Sequence, residues 1–382
     1  MTRGSRERGH GRRVAFEQVR HKLALVAPRI LHIDSGREWR GGQRQVLLLA
    51  RGLRQRDYEP LVVAAPGSPL VQRLRRAGIA TSAVAMRGDW DLVAARRIRS
   101  LARTWNAGIV HAHDARAHAI SLIALLDRPH IPLIVTRRVA QPPRGIRRQY
   151  AARVTRFLAA SEAVRDALAR GGVDPERVEI VYPGVPTPVV DKPRDWRTEC
   201  RWPQESVLCG VVGAGADIDG SLLWSIVERM SPDARRRARL VTFGGPGTGA
   251  YEIAGVPAFR AGFVDELHPA LAGVDILVHL ATSDGVGTAL IDAMALAVPP
   301  ITFAVSGFTA LVDPRRTGVI VPPGDVGAFA DALSHLILAD TERRTLAAHG
   351  PERSAQFSVE RMVDRVEGEY RRALGAIKSS RP

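Results

Sequence analysis

The chain has 382 residues and carries 55 Lys and Arg against 39 Asp and Glu, a formal charge of +16. With 45% apolar and 25% charged residues it has the material for about two domains of ordinary size, which excludes a disordered or fibrous chain. Two lone cysteines, Cys200 and Cys209, exclude a disulfide scaffold or a cysteine zinc module, and no run reaches the roughly 18 uninterrupted apolar residues of a membrane-spanning helix.

With only two cysteines and no disulfide pattern a reducing, cytoplasmic setting is expected, and residues 1–28, polar and basic, read as a flexible leader with no secretory signal. Order begins with a buried strand at 29–34, a glycine-containing loop at 35–42 and an apolar-periodic helix at 43–55. A strand at 60–65 and a helix at 70–77 follow. The alternation continues with a strand at 109–113, a helix at 115–126, strands at 132–136 and 157–160, a helix at 162–171 and a strand at 178–182. Prolines 183, 186, 188, 193 and 203 mark a linker. A second alternation has strands at 207–212, 239–243, 276–280, 300–304 and 318–321, with helices starting at Ser221, Glu266, Thr288, Val326 and Thr341. A last helix at about 359–374 is placed to pack back on the first domain.

Strands alternating with helices predict an α/β chain of two Rossmann-like, doubly wound parallel-sheet domains facing a cleft. The expected boundaries are a leader at 1–28, an N-terminal domain at 29–185, a linker at 186–205, a C-terminal domain at 206–356 and a returning helix at 357–382.

The charge is unevenly placed. Residues 1–190 hold 34 basic and 15 acidic side chains, a net +19, while the remainder holds 21 and 24, a net −3. A basic half implies a polyanionic partner: nucleic acid, an anionic membrane face or a phosphorylated ligand. Nucleic acid is disfavoured, because no helix-turn-helix, zinc or RNA-recognition signature is present.

The stretch Ser283-Asp284-Gly285-Val286-Gly287-Thr288-Ala289-Leu290-Ile291-Asp292 places glycines between a strand end and a helix start. Free N–H groups and the positive end of a helix dipole there suit a phosphate or diphosphate. Asp284 and Asp292 are placed to accept hydrogen bonds from sugar or ribose hydroxyls. The alternative is that Asp284 only starts the helix and Asp292 lies on a solvated face.

Several short motifs, in this order, resemble the retaining glycosyltransferases of family 4, the group 1 glycosyltransferases with the GT-B fold. They are Trp39-Arg40-Gly41-Gly42-Gln43, Val110-His111-Ala112-His113-Asp114, Leu158-Ala159-Ala160-Ser161-Glu162, Val181-Tyr182-Pro183-Gly184-Val185, the stretch from Asp284 to Asp292, Gly318-Val319-Ile320-Val321-Pro322-Pro323-Gly324-Asp325 and Phe357-Ser358-Val359-Glu360-Arg361-Met362. The resemblance implies a nucleotide-sugar donor held by the second domain, a cell-envelope glycan or lipid-linked acceptor held by the first, and transfer with retention of configuration. No metal and no cofactor are expected. By the same resemblance Gly41 and Gly42 lie near the donor phosphates and acceptor, and His113 faces the transferred sugar. Asp284 and Asp292 fall where the family has paired glutamates, the first holding sugar hydroxyls and the second the ribose. Gly285, Val286, Gly287 and Thr288 line the donor phosphates.

Two features depart from the family. The loop Gly213-Ala214-Gly215-Ala216-Asp217-Ile218-Asp219-Gly220 has neither of the Arg and Lys that relatives place against the diphosphate, and 243–263 is short. Replacement cations are sought at Arg137, Arg138 or Arg260. A catalytically degenerate relative that binds a glycan or a partner through the same cleft is the alternative function. Arg137, Arg138, Arg144, Arg147, Arg148, Arg153 and Arg156 form an acid-free cluster, read either as a solvated helix or as phosphate or anionic-membrane contacts that would make the protein peripheral on the inner face of the cytoplasmic membrane.

Overall fold

A computed structural model describes residues 27–212, 221–281, 287–305 and 307–379, with backbone alone for 376–379. The Asp284, Gly285 and Val286 expectations, the loop 213–220 and nearly all of the leader lie outside the described residues.

The first-half strands are β1 (Arg29–Asp34), β2 (Glu59–Ala64), β3 (Ala80–Ala83), β4 (Ile109–Ala112), β5 (Leu133–Arg137), β6 (Arg156–Ala159) and β7 (Val178–Ile180). They pair in parallel in the order β3-β2-β1-β4-β5-β6-β7. Most are buried nearly end to end, as strands covered by helices on both faces must be. The edge strand β3 is half-exposed and absent from the sequence reading, as is the helix Leu92–Thr104 that follows it in the chain, whose Asp91 accepts the capping hydrogen bond from Ala94 N–H.

The second half repeats the plan with β8 (Val207–Val212), β9 (Ala238–Ile253), β10 (Val256–Gly262), β11 (Ile276–His279), β12 (Pro300–Phe303) and β13 (Val319–Val321), ordered β10-β9-β8-β11-β12-β13. All neighbours are parallel except β9 and β10, which form an antiparallel hairpin at the edge. The sequence reading expected a strand only to Phe243; the backbone instead stays extended through Gly244, Gly245, Gly247 and Gly249, whose positive φ angles only glycine adopts readily. Ala254 and Gly255, at φ 47 and 76, close a two-residue turn.

Two crossings join the halves, and they are tied together. Val185 N–H donates to the Phe357 carbonyl at 2.9 Å and Val359 N–H to the Val185 carbonyl at 3.1 Å. Gln45 brackets the adjacent Gly184, donating to its carbonyl at 2.7 Å and accepting from its N–H at 2.8 Å. A Cβ at 184 would stand 2.8 Å from Val359 Cα, so the crossing requires glycine. Within 186–205 Trp196 is fully buried in the second-half core, its indole N–H donating to the Ala270 carbonyl at 2.9 Å. The C-terminal helix Val359–Ser379 returns to the first half, where Met362, Val363, Val366 and Tyr370 pack with Ile30, Leu49 and Leu53.

Candidate functional site

In doubly wound sheets the ligand crevice lies beyond the carboxyl ends of the strands where the order reverses. Here those points are the ends of β1 and β4 in one sheet and of β8 and β11 in the other.

At the first point three histidines crowd together. His32 Nδ1 lies 2.9 Å from His113 Nε2, and His111 lies 2.6 Å from the Tyr370 hydroxyl and 2.8 Å from Thr136 Oγ1. All three are buried, and burial pushes His32 down to about 3 and the other two well below the usual histidine range. The cluster is therefore neutral at physiological pH and works as hydrogen-bonding rings, with little capacity to take up a proton. Arg138 seals it from the side, donating to the His113 carbonyl and lying 3.4 Å from His113 Nδ1. Ligand atoms of the three histidines fall within 4.8 Å of one another, but a cation there would meet the Arg138 guanidinium, and most of the ring nitrogens are already hydrogen-bonded. Burial, followed by the Asp114 charge, raises the Asp34 carboxyl at the end of β1.

Between the two halves lies a cleft of about 920 Å³, lined among others by Trp39, Gly41, Arg44, Gly244, His268 and Thr288. Behind two of its lining side chains, Arg44 and His268, lies a buried carboxylate. Asp292 sits one turn inside the helix Thr288–Ala295 with no exposed surface, and both its oxygens are taken. Arg44, from the first-half helix Gly41–Arg54, donates from Nη2 to Oδ1 at 3.0 Å and from Nη1 to Oδ2. His268 Nε2 lies 2.7 Å from Oδ1. Burial alone would raise the Asp292 carboxyl; the hydrogen bonds of His268 and Arg44 and the Arg44 charge outweigh it and hold the carboxyl below the usual aspartate range. A second tie, Arg73 to Asp265, spans the halves nearby, with the Arg73 guanidinium 4.2 Å from the Trp39 ring centroid.

The expected residues therefore divide. Gly41 and Thr288 line the cleft, Gly287 precedes its helix at φ 62, and Gly42 backs onto Arg138, 3.5 Å from where a Cβ would stand. A Cβ at 287 would lie 2.7 Å from Leu311, so this turn too requires glycine. The solvated-face alternative for Asp292 is excluded by its burial. His113 is 2% exposed and borders a separate cavity of about 30 Å³ beside Arg138 and Gln45, room for a water.

The arginine cluster is no single solvated helix. Arg137 is buried, Arg138 donates to the His113 carbonyl, Arg147 pairs with Asp89, Arg153 donates to the Arg128 and Ile131 carbonyls and Arg156 pairs with Glu369, which leaves Arg144 and Arg148 exposed. None of Arg137, Arg138 and Arg260 lines the cleft; Arg260 lies over the Tyr251 ring at 4.9 Å. The cleft arginines are Arg40, Arg44 and Arg51 instead. Sequence reasoning missed Arg44 and His268. The available signal was position: Arg44 lies two residues past the Gly41-Gly42 pair, at the cleft end of its helix.

Comparison with known proteins agrees with the two-domain fold. Residues 39–188 match the family described as Glycosyltransferase Family 4, and residues 220–339 match Glycosyl transferases group 1. A D-inositol 3-phosphate glycosyltransferase of Mycobacterium tuberculosis is 27% identical over 307 residues, covering 72% of this chain and 59% of that relative, so the chain spans about three fifths of the relative's length. In fold the chain is similar to HepE of Anabaena, solved in complex with UDP-glucose, with a TM-score of 0.75 at 16% identity over 89% of this chain and 98% of that one. It is likewise similar to a glycosyltransferase of Rickettsia africae, with a TM-score of 0.75 at 15% identity over 91% and 99%.

Proposed function

The chain belongs to the group 1 glycosyltransferases, with their GT-B fold, and from that premise we propose that it transfers a sugar from a nucleotide donor to a cell-envelope glycan or lipid-linked acceptor with retention of configuration. The observation that carries the reading is the buried Asp292 behind Arg44 and His268 of the inter-domain cleft, one turn inside a helix whose first residue, Thr288, lines that cleft. A carboxylate there suits ribose hydroxyls, and the helix N-terminus suits phosphate oxygens. Gly41 permits close approach of the backbone, and Asp284 holds the sugar hydroxyls in this reading. His113 acts through its backbone and its ring hydrogen bonds, since it is buried and neutral.

A net charge of +19 in the first 190 residues favours an anionic acceptor, and the mycobacterial relative is named for a phosphorylated polyol. Contact with an anionic membrane on its cytoplasmic face is proposed through Arg144 and Arg148. The donor reading is tested by release of nucleoside diphosphate from a panel of nucleotide sugars. No release with any sugar, together with no binding of any nucleoside diphosphate in calorimetry, overturns it.

A second reading, a non-catalytic binding protein, is favoured by one observation: Arg44 and His268 occupy both Asp292 oxygens, so a ribose has to displace a bidentate partner. Nucleotide binding without turnover would select that reading.

A further inference from the structure

Resting on the donor reading above, we infer that Arg44 is this chain's cation for the donor diphosphate, and that Asp292 stores it until a nucleotide arrives. Ribose hydroxyls then take Asp292, and the released Arg44 turns to the phosphates.

The need comes from charge. Residues 213–220 carry two aspartates and no Arg or Lys, and the second half as a whole is net −3. A diphosphate leaving group held by this second half requires a cation from elsewhere. Among the described residues lining the cleft, the arginines are Arg40, Arg44 and Arg51, all from the first half. Arg40 is exposed and committed to Glu38. Arg51 lies about two turns further along its helix. Arg44 alone already reaches the Thr288 helix.

The exchange preserves pairing on both sides. Ribose hydroxyls cannot reach Asp292 while Arg44 bridges its two oxygens, because His268 shares Oδ1 as well. If Arg44 departs, the carboxylate keeps His268 and accepts from the incoming hydroxyls, so it is not left bare in a site without solvent. The guanidinium needs a replacement anion within reach, and the N-terminus of the same helix, where a phosphate would sit, is about one 5.4 Å turn away. Its planar fork fits phosphate as well as carboxylate. A simple latch between the halves, as Arg73 with Asp265 is, would lack this second partner.

The test separates phosphate from nucleoside. Calorimetry on the full chain with UDP, GDP, ADP and TDP identifies the tightest diphosphate, which is then compared with its own nucleoside in each variant. Arg44→Gln is expected to weaken the diphosphate on the order of 10- to 100-fold while leaving the nucleoside unchanged or tighter, and Arg44→Lys to recover part of the loss. Asp292→Asn is expected to weaken the nucleoside while the advantage of diphosphate over nucleoside persists. Arg73→Gln, which cuts the other tie, should leave that advantage intact. Equal loss of both ligands in Arg44→Gln, no loss of the diphosphate, or the same selective loss in Arg73→Gln would overturn the inference and leave the donor reading standing. A wild-type chain that binds none of the four removes both.

Discussion

Gly52 of the helix Gly41–Arg54 faces Val363 of the C-terminal helix so closely that a Cβ at position 52 would stand 2.5 Å from Val363 Cγ2. This contact lets the returning helix settle against the helix that carries Arg44. Replacing a mid-helix glycine by alanine ordinarily gains about 1 kcal/mol of helix propensity. Here the added methyl meets a stiff β-branched side chain, and overpacking of that kind costs about 1–3 kcal/mol. Gly52→Ala is therefore expected to lower the thermal midpoint. Val363→Ala in the same chain should recover part of the loss, which a double-mutant cycle measures; additive losses would show that the two helices are not in contact there.

Tyr370 anchors the same helix from its other end. Its hydroxyl lies 2.6 Å from His111 Nδ1 with the ring fully buried. Tyr370→Phe keeps the packing but strands a buried ring nitrogen, a loss of about 1–3 kcal/mol. Chemical denaturation should show that loss with an unchanged far-UV spectrum, and an unaltered midpoint would refute the bond.

Most of the strands and their parallel pairing were legible because stretches such as Arg29–Asp34 and Ile109–Ala112 are largely apolar and buried, and alternate with helices. The β9–β10 hairpin was not, since Gly244 to Gly249 reads as a loop and only tertiary pairing holds it extended. The helix Leu92–Thr104 hides its apolar side in alanines, although Asp91 gives the capping signal. At the site, Asp292 was legible by motif, but its partner Arg44 stands 248 positions away and no local pattern announces it. The seven arginines looked like one surface because sequence proximity says nothing of which carbonyls and carboxylates each one meets.

That dispersal makes a prediction about membranes. Only the exposed arginines can add the ~1 kcal/mol per residue expected at an anionic surface. Arg144→Gln with Arg148→Gln should lower co-sedimentation with phosphatidylglycerol-rich vesicles by roughly tenfold or more. Equal binding of wild type to neutral and anionic vesicles would remove the membrane contact altogether.

Asp292 gives a pH signature. Its folded pKa lies below the ordinary value of about 3.8, so its contribution is complete above that value and is lost as pH falls through the lower, folded one. Asp292→Asn leaves the Arg44 guanidinium facing a neutral amide, a loss of roughly 3 kcal/mol where the pair is buried. The stability gap between wild type and variant is thus expected to be level from pH 6 to 8 and to shrink below about pH 4. A gap that widens on acidification would mean that Asp292 is not the ionised partner of Arg44.

His113 lies beside the small cavity that Arg138 and Gln45 share. On sequence grounds alone, removing its side chain should suppress transfer with little effect on folding. The structure changes that expectation, because the ring is 2% exposed, 2.9 Å from His32 Nδ1 and packed 4.0 Å from the His111 ring centroid. His113→Ala empties this space and deprives His32 Nδ1 of its partner, when His32 Nε2 already lacks one among the described residues. The substitution is expected to cost about 2–4 kcal/mol and to lower the thermal midpoint together with activity. His113→Gln is the sharper probe: it keeps hydrogen-bonding capacity and most of the volume, and no basic ring. If the ring serves only by hydrogen bonding, the glutamine variant should retain turnover with an unaltered pH profile. A variant that folds at the wild-type midpoint yet loses turnover by several hundredfold would instead mean that the imidazole moves a proton, against the strong depression that burial imposes on it.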